Sequence, residues 1–244
     1  MDYQNEFPLT PLHLNHAGVG PWPRRTITAL QKFAEENMTS GTVHYTAWKQ
    51  RVASLREMLR ELIGAASADE IALTKNTSEG ISLVACGLDW HAGENVVVGS
   101  QEFPSNRLAW ESLSQRFNVE VRHADLSHEP EQSLIALMDD NTRLLATSSI
   151  QYANGHRMNL AQLRQACRQH NSLFCIDAIQ SLGAVPFNAQ EVNADFVCAD
   201  GHKWLLSPEG TGIFYCRHEH LKTLKLHQFG WHMVNNPEDY EKTE

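Results

Sequence analysis

Two stretches decide the fold of this chain: LFCIDAIQ at residues 173–180 and ADFVCADGHKW at residues 194–204. Each contains an apolar run typical of a buried β-strand, predicted at 173–177 and 194–199, with polar residues where that strand ends. Open α/β sheets bind their ligands outside the carboxyl ends of the strands. The two stretches therefore predict a ligand site to which Asp177 and Lys203 both contribute.

The same alternation of strands and helices extends outward from these stretches. Apolar strands are predicted at 71–74, 95–99, 119–123, 143–149 and 212–216. Helical patterns are predicted at 48–63, 77–86, 105–117, 130–138 and 160–170. This order predicts an α/β fold with a mostly parallel sheet sandwiched by helices.

Composition narrows the class of protein. The 244 residues carry a net charge of −9, which argues against binding nucleic acid. No apolar run is long enough to span a bilayer, so no membrane association is expected. The five cysteines form no CxxC pair, and the first residues lack the pattern of a secretory signal, which favours a cytoplasmic protein. The thirteen histidines form no HExxH or Cys/His quartet, so no metal site is predicted.

An acid and a lysine at neighbouring strand ends suit pyridoxal 5'-phosphate (PLP). The acid keeps the pyridine nitrogen protonated, and the lysine forms a Schiff base with the aldehyde. Trp204 and the leucines after it would bury the stem of Lys203 and lower its pKa. Taken singly, Asp177 could equally be a cap and Lys203 a solvated side chain. Gln180 could donate to the phenolate oxygen of the cofactor or be exposed.

Two further segments could complete such a site. Thr77 and Ser78 open a helix, where free amides and the helix dipole favour a phosphate, although an ordinary N-cap has the same composition. Phe103 follows a strand and could stack on the pyridine ring or pack in the core. Neither GxxxxGK[ST] nor GxGxxG occurs, which disfavours an unrelated nucleotide-binding protein.

Four motifs occur in a characteristic order: LNHAGVGP at 14–21, NTSEG at 76–80, DAIQSLG at 177–183 and DGHKWLLSPEG at 200–210. Together they resemble the class V aminotransferase family of fold-type I PLP enzymes. That family includes cysteine desulfurases, kynureninases and isopenicillin N epimerase-like proteins. The resemblance runs to about Trp231 and implies the large domain of a PLP-dependent transferase of fold-type I, in a homodimer that acts on an amino acid.

The resemblance also implies roles for individual residues. Lys203 corresponds to the internal-aldimine lysine and proton shuttle, and Asp177 to the partner of the pyridine nitrogen. Gln180 would contact the phenolate oxygen, and Phe103 the ring. The expected phosphate-side contacts are Thr77, Ser78, Asp200 and His202, and the expected substrate-side residues are His16 and Asn154.

The chain departs from the family pattern at several positions. Asp200 stands where a serine is frequent, and Phe103 where desulfurases have a histidine. Tyr152 stands where desulfurases usually have an asparagine, and Asn154 is expected to serve instead. None of the five cysteines corresponds to the desulfurase nucleophile. These departures favour an aminotransferase or lyase-like member over a cysteine desulfurase.

Family members are considerably longer, so the chain is expected to lack the small C-terminal domain. Three segments are predicted: N-terminal helices at 1–63, the PLP-binding large domain at 64–231 and the start of a truncated C-terminal part at 232–244. The alternative is a catalytically inactive module that serves PLP binding or dimerisation.

Overall fold

The computed structural model describes residues 3–9, 12–234, 237 and 239. A seven-stranded sheet organises these residues, in the order β1-β7-β6-β5-β4-β2-β3. Its strands are β1 (Ile71–Thr74), β2 (Asn95–Gly99), β3 (Glu120–Ala124), β4 (Thr142–Ser148), β5 (Leu173–Asp177), β6 (Phe196–Asp200) and β7 (Gly212–Cys216). Strands β2 to β6 pair in parallel, and only β7 runs antiparallel to its two neighbours. The predicted mostly parallel sheet is confirmed.

The described helices are α1 (Tyr3–Glu6), α2 (Arg24–Ser40), α3 (Tyr45–Ile63), α4 (Thr77–Gly87), α5 (Ser105–Phe117), α6 (Pro130–Ala136), α7 (Leu160–Gln169) and α8 (Ala189–Val192). No bounds were predicted for α2, although Ile27, Leu30 and Ala34 recur in it at helical spacing. None of its residues is buried in the single chain. None of the helices within the described part of the chain is both long and apolar enough to cross a membrane.

Helices cover both faces of the sheet, as predicted. Along β5, Phe174 and Ile176 point to the face covered by α3, α6 and α7, while Cys175 points to the face covered by α4 and α5. Side chains alternate along a strand, so Asp177 lies on the same face as Cys175. Asp200 lies on that face too, since it follows Cys198 by two residues. Both acids therefore face α4.

Some boundaries differ from the sequence prediction by a few residues. Strand β6 runs to Asp200, so this acid is the last residue of a strand and not part of the following loop. The predicted C-terminal segment 232–244 is only partly described, because residues 235, 236, 238 and 240–244 lie outside the described residues. The three-segment division of the chain remains a prediction.

Candidate active site

A pocket of about 220 Å³ opens at the carboxyl ends of β4, β5 and β6, against the N-terminus of α4. Eight of the ten predicted site residues line it: Thr77, Ser78, Phe103, Asp177, Gln180, Asp200, His202 and Lys203. The parallel strands end at one edge of the sheet, which is why residues far apart in sequence meet here.

Asp177 forms the buried floor of the pocket. Its side chain is 3% exposed, and Oδ1 accepts a hydrogen bond of 3.0 Å from the Ile179 amide. Burial raises the pKa of Asp177 to about 7, the negative charge of Glu102 adds to this, and Lys203 opposes it. The Asp177 carboxyl is therefore partly protonated at neutral pH, and it could share a proton with a basic nitrogen placed beside it.

Lys203 faces this floor from the loop after β6. Its Nζ lies 5.7 Å from the centre of the Phe103 ring. Partial burial lowers the pKa of Lys203, although the nearby charges of Asp177 and Asp200 oppose the shift. A lowered pKa increases the fraction of free amine, which is the nucleophilic form.

Two glycines allow neighbouring segments to pack on the backbone of the lysine loop. The Gly20 amide donates to the His202 carbonyl over 2.7 Å. A Cβ at Gly20 would lie 2.0 Å from the Lys203 carbonyl oxygen. Gly183 has a φ of +90°, and a Cβ there would lie 2.5 Å from the Trp204 carbonyl oxygen. The loop is thus held from two sides where only glycine fits.

The N-terminus of α4 forms a polar end of the pocket. Asn76 caps the helix through Oδ1, which accepts from the Glu79 amide over 2.9 Å. The Thr77 hydroxyl is buried without a hydrogen-bond partner. The Ser78 hydroxyl donates to Ser105 Oγ over 2.8 Å. First-turn amides have no acceptor within their own helix, so this end of the pocket is suited to an anion.

Asp200 and His202 lie on the same side of the pocket as this helix end. Asp200 is 7% exposed, and its Oδ1 lies 2.9 Å from His202 Nδ1. The two atoms are within ion-pair distance but outside hydrogen-bond geometry, so the buried Nδ1 has the Asp200 carboxylate beside it and makes no hydrogen bond.

Gln180 is already engaged on both sides of its amide. Its Nε2 donates to the Ala17 carbonyl over 3.0 Å, and its Oε1 accepts from Trp204 Nε1 over 2.9 Å. One amide hydrogen remains to be directed into the pocket. His16 does not line the pocket but stacks on Trp204, with the ring centres 5.4 Å apart.

Asn154 also lies outside the pocket lining. Its Oδ1 accepts from the His156 amide over 2.9 Å, inside its own turn. Tyr152 lines the pocket instead, and its ring meets the Phe103 ring edge-to-face with the centres 5.3 Å apart. The role of Asn154 as a substrate-side residue stays a prediction.

Sequence reasoning missed Glu102, Ser105 and Ser148. Ser105 and Ser148 line the pocket, and Glu102 is buried just behind it. Glu102 and Ser105 follow the strand predicted at 95–99, and Ser148 lies near the end of the strand predicted at 143–149. That placement was the available signal, but serines and glutamates at strand ends are usually solvated.

One cluster elsewhere has the composition of a metal site. Asp195, Glu219 and His220 are the group of this kind found within the described residues. The Asp195 carboxylate already accepts from Arg164 Nη1 and from the Phe174 amide, both over 2.8 Å. An arginine-paired carboxylate serves the packing of the chain, and none of the three residues lines the pocket.

Comparison with known proteins gives consistent relatives. A family model described as Aminotransferase class-V matches residues 12–244. A protein of Methanothermobacter thermautotrophicus described as a probable cysteine desulfurase is 34% identical over 222 residues, covering 88% of this chain and 56% of that protein. A cysteine desulfurase of Klebsiella pneumoniae is 30% identical over 190 residues, covering 75% of this chain and 47% of that protein.

Solved structures agree with these relatives. An apo cysteine desulfurase of Thermococcus onnurineus is 25% identical with a TM-score of 0.83, covering 94% of this chain and 60% of that one. The cystine C–S lyase C-DES, in complex with its product cysteine persulfide, is 26% identical with a TM-score of 0.82, covering 90% and 60%. A C-DES mutant with glycine covalently linked to the PLP cofactor has a TM-score of 0.86 at 25% identity, covering 93% and 63%.

The chain spans about half the length of the curated relatives it matches, 56% and 47% for the two above. The sequence analysis ranked cysteine desulfurases below aminotransferases and lyases. The relatives do not support that ranking, because the two curated ones above are described as cysteine desulfurases.

Proposed function

The chain belongs to the class V aminotransferase family, and on that premise we propose that it binds PLP and acts in breaking the carbon–sulfur bond of a cysteine-type amino acid, as a cysteine desulfurase does. The observation that carries the proposal is the meeting of buried Asp177 and half-buried Lys203 in one pocket. The names of the relatives support the choice of a sulfur-containing substrate.

The residues present fit PLP. Its phosphate needs an anion site, which the end of α4 offers with the unpartnered Thr77 hydroxyl. Its pyridine nitrogen needs a buried acid, which is Asp177. Its aldehyde needs an amine with a lowered pKa, which is Lys203. Each requirement is met by a different wall of the pocket.

Each side chain of the pocket would have a separate role toward the cofactor and the substrate. When bound, PLP draws electrons from the bonds at the α-carbon of an amino acid. Asp177 would hold a proton at the pyridine nitrogen, and Phe103 would lie against the ring. Lys203 would hold the aldehyde through Nζ and, once the amine of the substrate has displaced it there, the freed Nζ would take up the proton from the substrate α-carbon. The Phe103 and Tyr152 rings contact each other in the pocket lining, and the Phe103 ring centre lies 5.7 Å from that amine.

The similarity to a solved cystine C–S lyase favours a second candidate, a C–S lyase. Desulfuration passes sulfur to a thiol, whereas β-elimination needs none. No cysteine lines the pocket within the described residues. Cys175 and Cys198 are buried in the sheet, and burial raises the pKa of Cys198 well above its ordinary value, which keeps it unreactive.

The cofactor assignment is tested by borohydride reduction of the chain loaded with PLP, followed by peptide mapping. We expect a visible absorbance band that bleaches and a label on Lys203. Lys203→Ala abolishes the label, whereas Lys222→Ala, which changes an exposed lysine, leaves it unchanged. A label that persists in Lys203→Ala contradicts the assignment.

The reaction is tested by incubating the loaded protein with cysteine or cystine. Alanine as the product supports desulfuration, and pyruvate with ammonia supports elimination. PLP binding without either product supports the inactive binding module instead.

We also propose the homodimer that the family resemblance implies. Helix α2 buries no residue, and it exposes Leu30 by 41% and Phe33 by 42%. Such apolar side chains on one helix suit an interface between copies. Light scattering coupled to size-exclusion chromatography tests this, and a monomer at all concentrations contradicts it.

A further inference from the structure

Glu102 is a buried carboxylate that the proposed reaction does not use. Its side chain is 2% exposed, and it does not line the pocket. Burying a carboxylate is unfavourable unless hydrogen bonds compensate for the lost water. Glu102 therefore needs partners, and the structure provides several.

Every partner donates to Glu102, as expected for an ionised carboxylate. Oε1 accepts from the Ser148 amide over 2.7 Å and from Gln151 Nε2 over 2.7 Å. It also accepts a longer bond of 3.4 Å from the Thr147 hydroxyl. Oε2 accepts from the Ser148 hydroxyl. Hydrogen bonds to a charged group are stronger than neutral ones.

These donors all belong to the carboxyl end of β4 and the turn after it. Glu102 itself belongs to the loop after β2, directly before Phe103. Glu102 thus fastens one loop to another. The first carries Phe103 and the second carries Tyr152, and the two rings form the aromatic wall near Lys203.

The hydrogen bonds of Glu102 also connect it to the floor of the pocket, through Ser148. Ser148 is the register partner of Asp177 across β4 and β5, and Ser148 lines the pocket. The charge of Glu102 also adds to burial in raising the pKa of Asp177. A shift of the Ser148 backbone would therefore move the end of β4 that lies beside Asp177.

We propose that Glu102 is a positioning residue of the cofactor site: its carboxylate holds the Phe103 loop against the end of β4 and so fixes the aromatic wall that faces Lys203. The inference rests on the proposed PLP binding. Glu102 does not line the pocket, so it would act on the cofactor only through the residues that it holds in place.

The test compares three variants of the full chain. Glu102→Gln keeps the shape of the side chain and removes its charge. Gln151→Ala removes one of the hydrogen-bond donors to the Glu102 carboxylate. Glu57→Gln is the control, because Glu57 is a half-exposed residue of α3 that bonds Arg60. The readouts are the PLP dissociation constant from absorbance titration, the circular dichroism of the bound cofactor and the Tm of the protein without PLP.

We expect Glu102→Gln to weaken PLP binding about tenfold and to change the dichroism of the bound cofactor. Gln151→Ala weakens PLP binding by a smaller factor. Adding it to Glu102→Gln causes little further loss of affinity, since both changes affect the same hydrogen bond. Glu57→Gln matches the wild type. A purely structural role predicts a lower Tm with the wild-type dissociation constant and dichroism in the folded protein, and that result overturns the proposal.

The outcomes separate this inference from the function on which it rests. A wild-type chain without a borohydride-trapped label on Lys203 overturns both. A labelled wild type with unchanged Glu102→Gln and Gln151→Ala overturns only the role of Glu102. If Glu102→Gln does not fold, the test rests on Gln151→Ala. Wild-type PLP affinity and dichroism in that variant would overturn the proposed role of Glu102.

Discussion

Trp204 donates its indole N–H to the Oε1 of Gln180 over 2.9 Å. This bond joins the loop that carries Lys203 to the turn that follows Asp177. It also fixes which way the Gln180 amide points, since Nε2 must then donate to Ala17. The second hydrogen of Nε2 is therefore left to donate to a ligand in the pocket.

Trp204→Phe tests this orientation. The change keeps an aromatic ring to stack on His16 and removes the N–H. We expect PLP affinity to fall severalfold, because the Gln180 amide loses its fixed direction. The control is Trp90→Phe, which removes another buried indole bond, 2.7 Å to the Ala85 carbonyl, outside the pocket. Absorbance titration should show a weaker affinity in the first variant only, and equal losses in both would contradict the prediction.

Gly20→Ala tests the packing of the N-terminal segment on the lysine loop. The new Cβ would lie 2.0 Å from the Lys203 carbonyl oxygen, so the segment or the loop must move. We expect a loss of borohydride-trapped label, together with a Tm lower by several degrees. Gly230→Ala is the control, because nothing lies within 4 Å of a Cβ there. Wild-type labelling of Gly20→Ala would show that the contact has no influence on Lys203.

Asp177→Asn tests the buried acid through the pH dependence of stability. The pKa of Asp177 in the folded protein, about 7, lies above its ordinary value of 3.8. Between these values the folded protein holds a proton that the unfolded chain has released, so stability without PLP falls as the pH rises through this window. Asparagine cannot ionise and avoids the cost of a buried charge above pH 7.

We therefore expect Asp177→Asn to be more stable than the wild type at pH 8, by about 4 kcal/mol in the free energy of unfolding, and equally stable near pH 4. The same variant binds PLP at least about tenfold more weakly, because the pyridinium loses its counter-ion. Urea unfolding at several pH values measures the first effect and absorbance titration the second. Asp69→Asn, at an exposed position, serves as the control. Parallel pH profiles for Asp177→Asn and the wild type would refute the buried-acid account.

Thr77→Val tests the anion site at the end of α4. The Thr77 hydroxyl is buried without a partner, so its removal should leave the stability of the protein without PLP unchanged or slightly raised. PLP affinity should fall about tenfold, since a phosphate would lose a hydroxyl donor. Thr74→Val is a matched control, because the Thr74 hydroxyl is also buried and unpartnered but lies outside the pocket lining. Similar PLP affinities for the two variants would contradict the assignment of the phosphate site.

Local sequence patterns predicted most of the sheet. The strands β1, β2, β5 and β7 have their predicted bounds, because continuous apolar runs bounded by polar residues are strong signals. Helix α2 was not predicted, although Ile27, Leu30 and Ala34 recur at helical spacing. The strand end at Asp177 was predictable for the same reason, whereas β6 was predicted to end at Ala199 and extends one residue further, to Asp200.

The sequence by itself determined the alternating α/β order and the presence of an acid, a lysine and a hydroxyl-rich helix start at strand ends. Only the tertiary structure decided which of these side chains share a pocket. It brought in Ser105, Ser148 and Tyr152 and left His16 and Asn154 outside its lining. The reason is physical: strand and helix patterns depend on neighbours a few residues away, whereas the 46 residues that separate Glu102 from Ser148 are bridged only by the pairing of strands.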